Sequence, residues 1–447
     1  MMGIRSSIRP LLAAAGLFLL TFPSASGALT LPEAVDAALA THPSIAARQA
    51  LQAEAWAAVG EARADWFPSL RVSGSLTQYE EPMAVFPIHG FNPQSLPPFD
   101  ETLAQGGVSL SYTLFDGAGR IGRVRQARAR AGAADKEALA TEQSLIAWVT
   151  NAYLAVLNAQ ETLAAHDHHL AALERERARV QQLLAVGRAA EIQVLQAEAA
   201  LAGARAERVR IAGTLDRAEQ EMARLTGRAL ATVRAAPFAA FTLPGEPGGS
   251  LARDDLLAAA LAENAGLQAA RQIRQAADAG VLAACSARWP KLIAAGSYLG
   301  WADGDGHDTW EWNAGLQLAW PLFAGGAIRH SIERARAARQ GAGAALALAE
   351  LRVGEQIDRA LTAIDETRAR VTSLEAAVAA QAEVARIQQL LLEAGSGTES
   401  DYLDAEADLL TGRAALADAR HGELAACVEL ARVTGRLDQK WIRESLQ

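Results

Sequence analysis

Two apolar spacings alternate along this chain. Over residues 118–186, Leu139, Ile146, Val149, Tyr153, Val156 and Leu157 are among apolar residues recurring at three- and four-residue steps, with no proline and little glycine. That period predicts one amphipathic helix, which at about 1.5 Å per residue would be on the order of 100 Å long. A globular core needs no such rod, but a coiled coil does, and the many alanines let neighbouring helices approach closely. The pattern returns over residues 327–393, softened by Gly341, Gly343 and Gly354, each costing roughly 1 kcal/mol relative to alanine. Shorter helical stretches, about 191–225 and 400–433, follow each rod and end at Thr-Gly.

The second spacing has a period of two. Leu70, Val72, Gly74 and Leu76 oppose Arg71, Ser73 and Ser75, while Val108, Leu110, Tyr112 and Leu114 oppose Ser109, Ser111 and Thr113. Later, Trp312, Ala314, Leu316, Leu318 and Trp320 alternate with Asn313 and Gln317. Strands are therefore expected at about 68–78, 106–115, 290–299 and 312–323. Roughly ten residues is the length of a tilted strand that crosses a bilayer. Trp289, Trp301, Trp310, Trp312 and Trp320 sit at or near strand ends, where an aromatic girdle would lie. The alternative is a half-buried sheet in a soluble protein. Four strands cannot close a barrel, and an open edge within lipid leaves backbone groups unsatisfied, so a membrane sheet here requires oligomerisation.

The chain repeats itself. Leu114-Phe115-Asp116-Gly117 recurs as Leu322-Phe323-Ala324-Gly325, Val186-Gly187 as Ala394-Gly395, and Leu225-Thr226-Gly227-Arg228 as Val433-Thr434-Gly435-Arg436, each offset by 208. Upstream, Trp66-Phe67-Pro68 matches Arg288-Trp289-Pro290 at an offset of 222. The first copy thus carries fourteen extra residues, placed in a stretch from Glu81 to Glu101 that is rich in Pro and Phe, contains Gly90, and is expected to be an exposed loop. The expected organisation is a signal peptide at 1–27, a first repeat at 28–234 with its helical hairpin at 118–230, a linker at 235–250, a second repeat at 251–437 with its hairpin at 327–434, and a C-terminal segment at 438–447.

The second hairpin has the more distinctive tip. Gly395 and Gly397 can reverse the chain, and Thr398 or Ser400 can cap the next helix. Asp401, Asp404 and Asp408 then fall on one face with no basic residue before Arg413. Capping and the macrodipole could account for Glu399 and Asp401. They do not account for Asp404 or Asp408, more than a turn inside the helix.

Composition narrows the possibilities. Arg5 and Arg9 precede an apolar run from Leu11 to Phe22, and Ala25-Ser26-Gly27 offers a cleavage site, the pattern of a secretory signal peptide. Its removal leaves 40 basic against 51 acidic residues, about −11, which disfavours nucleic acid. Later apolar stretches are interrupted by charges too often for transmembrane helices. Cys285 and Cys427 are expected to be buried thiols, with a disulfide as the alternative. His166, His168 and His169 beside Asp167 lack the four-residue spacing of a helical zinc motif and are expected on a solvated helix face. No hydrolase or phosphate-loop motif appears, so neither enzymatic chemistry, a cofactor nor a metal is expected.

Taken together, Leu114-Phe115-Asp116-Gly117-Ala118-Gly119-Arg120, its echo Pro321-Leu322-Phe323-Ala324-Gly325-Gly326, and Gly-x5-Asp-Tyr-Leu-Asp-Ala over 395–405 resemble the TolC outer-membrane factor family across essentially the whole mature chain. The resemblance implies a mixed, mainly α fold, with a homotrimeric twelve-stranded β-barrel in the outer membrane continued by a long periplasmic α-helical barrel. It implies an exit duct for efflux or type I secretion, working with a periplasmic adaptor and an inner-membrane pump that is proton-driven or ATP-binding. Residues just before each long helix, the linker and the segment after Gly435 would form an equatorial belt. By the same resemblance Asp401 and Asp404 match two aspartates ringing the periplasmic aperture, with Gln193 and Gln196 in the first copy. Val186, Gly187, Arg188, Ala394, Gly395 and Ser396 match the tips where adaptors dock, and Gly117, Gly119, Gly325 and Gly326 the strand-to-helix turns. Gly397 and Leu392 stand where relatives carry an arginine and an aromatic hydroxyl that help lock the gate. A coiled-coil scaffold of the cell envelope without a pore is the alternative; it would explain the rods but not the strand pairs.

Overall fold

The computed structural model describes residues 29–89, 98–241 and 252–445. The expected signal peptide lies outside the described residues, as do parts of the expected loop and linker. Helices α1 (Leu31–Thr41) and α2 (Pro43–Ala64) lead into strands β1 (Ser69–Ala84) and β2 (Phe99–Phe115), then helices α3 (Gly119–Ala185), α4 (Glu191–Thr226) and α5 (Leu230–Ala235). The order returns as α6 (Arg253–Glu263), α7 (Ala265–Cys285), β3 (Lys291–Ala302), β4 (Asp308–Ala319), α8 (Ala327–Glu393) and α9 (Glu399–Val433), followed by α10 (Gln439–Ser445). Helices α3 and α8 each have 67 residues and start 208 positions apart, so the duplication in sequence is a duplication of form.

The strands form one antiparallel sheet in the order β1-β2-β3-β4. Its register sorts side chains by chemistry across all four strands. Leu70, Leu110, Gly296 and Ala314 form one cross-strand row, and Val72, Val108, Tyr298 and Trp312 the next on the same face. The opposite face carries Arg71, Ser109, Ser297 and Asn313. The apolar face is open: Val72 and Trp312 are each 76% exposed. Gly300 is required there because Trp310 lies on it; a β-carbon would sit 2.7 Å from the indole ring. Tyr298 stacks on the same indole at 5.3 Å.

Three expectations change. The last strand, expected at 312–323, runs over Asp308–Ala319, because Pro321 has no amide to continue the ladder. The stretch 81–101 is partly strand, since Met83 pairs with Asp100 and Ala84 with Phe99 beyond a register shift after Gln78. Pro82, which has no amide to donate, falls inside that shift and explains why the ladder breaks and resumes. Trp301 pairs with Gln105 and Thr309, on the face opposite Trp310 and Trp312, so it is not part of an aromatic band with them.

The main core lies around the middle of α3, not at the sheet. Leu145, Ile146, Tyr153 and Val156 pack there with Leu29, Val35, Met222, Val233, Val428 and Ile442. Tyr153 ties the chain together, its hydroxyl 2.6 Å from the Leu29 carbonyl and 2.8 Å from that of Ala239, its ring against Phe238 and Phe241. Burial pushes this phenol up to about 12. The residues just before each long helix are not in this belt. Gly117 instead approaches the end of α7, where a β-carbon would meet Trp289 Cβ at 2.6 Å.

Candidate functional site

Candidate chemistry is concentrated in three places: the strand-to-helix junction, the hairpin tips, and the groove above the second tip. At the junction Gly117, Gly325 and Gly326 have positive φ, as does Ala118 at φ 69°. Gly119 does not; it is the first residue of α3 and allows close approach, since a β-carbon would lie 2.7 Å from Ser286 Oγ. Arg120, one turn later, is the residue whose role sequence reasoning missed. It is 6% exposed. Its guanidinium donates to the Leu114 carbonyl at 3.2 Å and the Asp65 carbonyl at 3.4 Å, and lies 4.4 Å from the centre of the Trp66 ring. Asp116 accepts from the Arg120 amide at 2.7 Å and pairs with Arg120 and Arg123. The i,i+4 spacing of Asp116 and Arg120 was the available signal. The junction borders a cavity of about 820 Å³ lined by Ser69, Ser111, Thr113 and Lys291 of the sheet's polar face.

Both tips end in a left-handed glycine. Gly187 at φ 70° lets Arg188 donate to the Leu183 carbonyl, and Gly395 at φ 75° lets Ser396 donate to that of Leu391. These bonds satisfy carbonyls that a helix end otherwise leaves bare. Gly397 does not have positive φ. It packs closely instead, with a β-carbon position 3.0 Å from Leu391 Cβ. Val186, Gly187, Arg188, Ala394, Gly395 and Ser396 are all exposed.

Thr398 caps α9, accepting from the Asp401 amide at 3.2 Å and donating its hydroxyl to the Asp401 carboxylate at 2.6 Å. Asp401 therefore serves the cap while remaining exposed. Asp404 and Asp408 are exposed with no hydrogen-bond or ion-pair partner among the described residues. Exposed unpaired carboxylates on one helix face attract cations. Glu399 behaves differently: it is buried against α3, beside the ion pair of Glu176 with Arg179. Burial and the Glu176 charge push its carboxyl above the ordinary range, Arg179 acting in the opposite direction.

Above this tip, α3, α4 and α9 enclose a groove of about 520 Å³. Here the expectation of a solvated histidine face fails. His166 is buried and His169 half-buried, both lining the groove, and burial lowers both pKa values. The face turns inward because α9 covers it; only His168 and Asp167 remain exposed, Asp167 paired with Arg208. Gln196 and Asp404 line opposite walls, whereas Gln193 is spent on the α4 cap, accepting from the Ala190 amide at 2.9 Å. Cys285 and Cys427 are both free thiols, but only Cys427 is buried as expected; Cys285, at the end of α7, is half-buried. No described helix is long and apolar enough to cross a membrane.

A family model described as outer membrane efflux protein matches residues 34–228 and 256–436, one span for each repeat. The chain belongs to that family. The outer membrane protein TolC of Vibrio cholerae is 24% identical over 427 residues, covering 94% of each chain. Protein CyaE of Bordetella pertussis is 29% identical over 400 residues, 86% of this chain and 79% of CyaE. Among solved structures, the outer membrane protein VceC of Vibrio cholerae superimposes with a TM-score of 0.78 at 21% identity, covering 91% of this chain and 96% of VceC. The Campylobacter jejuni CmeC outer membrane channel gives 0.79 at 18% identity, covering 93% and 89%. This efflux-family chain therefore has the TolC-like fold, with four strands of the sheet per chain and long helical hairpins.

Proposed function

We propose that three copies of this chain form the outer-membrane exit duct of an efflux or type I secretion system. The observation that carries this is the sheet: an open apolar face, a polar reverse, and edges at β1 and β4 that are unpaired among the described residues. Edges of that kind within lipid must be paired, and three sheets joined edge to edge make a twelve-stranded barrel. The polar rows then face a shared lumen, and the roughly 100 Å helices carry it into the periplasm. Names among the relatives support the outer-membrane setting, including the outer membrane efflux protein BepC of Brucella suis, 26% identical over 344 residues.

In this arrangement Asp401 and Asp404 ring the periplasmic mouth, and the exposed tips around Gly187 and Gly395 receive a periplasmic adaptor that links the duct to an inner-membrane pump. The duct catalyses nothing; its chemistry is the field of its carboxylates and the wetting of its wall. The test is reconstitution of protein purified from outer membranes into planar bilayers. Discrete cation-selective conductance steps are expected; a detergent-soluble protein that never conducts would favour the pore-less scaffold.

A further inference from the structure

The groove between α4 and α9, floored by α3, contains buried polar groups for which a passive duct has no use. Glu399 is 9% exposed, and neither of its carboxylate oxygens has a hydrogen-bond partner. His166, 8% exposed, and His169 each leave Nδ1 without a partner as well. A buried carboxylate without partners is costly, so its oxygens mark where a proton or a cation belongs.

The surroundings select the occupant. From α3, Glu176 and Arg179 face Glu399, but Arg179 is already held by Glu176 through two hydrogen bonds of 2.8 and 2.5 Å. From α4 comes Glu207, itself paired with Arg210, and from α9 the unpaired Asp404, both on the groove wall. With Arg179 and Arg210 each held by its own glutamate, Glu399 and Asp404 leave the groove net negative, which favours a cation over an anion. Among the described residues no group of three or more His, Cys, Asp or Glu is placed to hold a metal ion. Leu173, Leu403 and Leu410 supply apolar wall, and about 520 Å³ is within the range of small-molecule sites.

We propose that this groove binds small amphipathic organic cations, an ammonium group on Glu399 and an apolar body against the leucines. The site is independent of the duct assignment, because it is tested by direct binding without transport. Protons compete with the cation for Glu399, so affinity rises as pH rises through that carboxyl's raised titration range.

The experiment titrates 1-naphthylmethylamine, followed by its fluorescence, into the full protein purified in detergent. Saturable binding is expected, weakened at least tenfold by Glu399→Gln, with the difference closing as pH is lowered. Asp408→Asn, on the same acidic stripe but outside the groove, lowers affinity far less than Glu399→Gln, because it removes only a share of the general field. Gly203→Leu abolishes binding by filling the groove; a β-carbon at Gly203 meets nothing within 4 Å, and the helical circular-dichroism signal checks that the fold is intact. Wild-type affinity in Glu399→Gln, or equal weakening by Asp408→Asn, would overturn the proposal, as would failure of the wild type to saturate.

Discussion

Among the acids at the second tip, equal spacing in sequence conceals unequal surroundings. Asp401 is tied back to Thr398, whereas Asp404 is exposed and unpaired. If both ring the mouth of a duct, Asp404→Asn should reduce the cation-to-anion permeability ratio in planar bilayers more than Asp401→Asn, and the double variant should also lose block by polyvalent cations. Unchanged selectivity in the double variant would remove both from the mouth. Arg120 offers a test of stability. Alanine there leaves the Leu114 and Asp65 carbonyls and part of Asp116 without their donor, at a cost of about 2–4 kcal/mol. Lysine should not restore the melting temperature, because one ammonium cannot reproduce a planar fork stacked on Trp66. The acidic stripe was legible because period alone sets its face. The burial of Glu399 and His166 was not, because it depends on α9 crossing α3, a contact between residues more than two hundred positions apart.

At the scale of elements, the repeat offset located both long helices and both hairpin ends, since a period of 3.6 sustained over 67 residues has no competing explanation. Strand limits were harder to read. Alternation ends at about residue 78, yet pairing resumes at Met83, beyond Pro82. The belt was harder still, because Tyr153 reads in sequence as one more apolar position of α3, and only the fold brings Leu29 and Ala239 to its hydroxyl. Surface ion pairs such as Arg205 with Glu174 at 2.9 Å and Arg420 with Glu375 at 2.7 Å join the arms of each hairpin, though exposed pairs of this kind contribute little to stability. The tips carry the functional prediction. Arg188→Glu combined with Ser396→Glu should abolish export in cells while the assembled protein still accumulates in the outer membrane. Loss of assembly would make the tips structural instead.

For the whole molecule, the sheet and the rods impose one requirement together. Among the described residues no helix covers the apolar face of β1 to β4, and its two edges have no partner. Lipid can cover the face, but only another strand can satisfy the edges. The long helices raise the same requirement, since α8 leaves Leu351 72% exposed on a face that a neighbouring chain would cover. Native mass spectrometry of the detergent-extracted outer-membrane protein tests this most directly. Three copies of the mature chain per particle are predicted; a single chain that stays soluble without detergent would contradict the account.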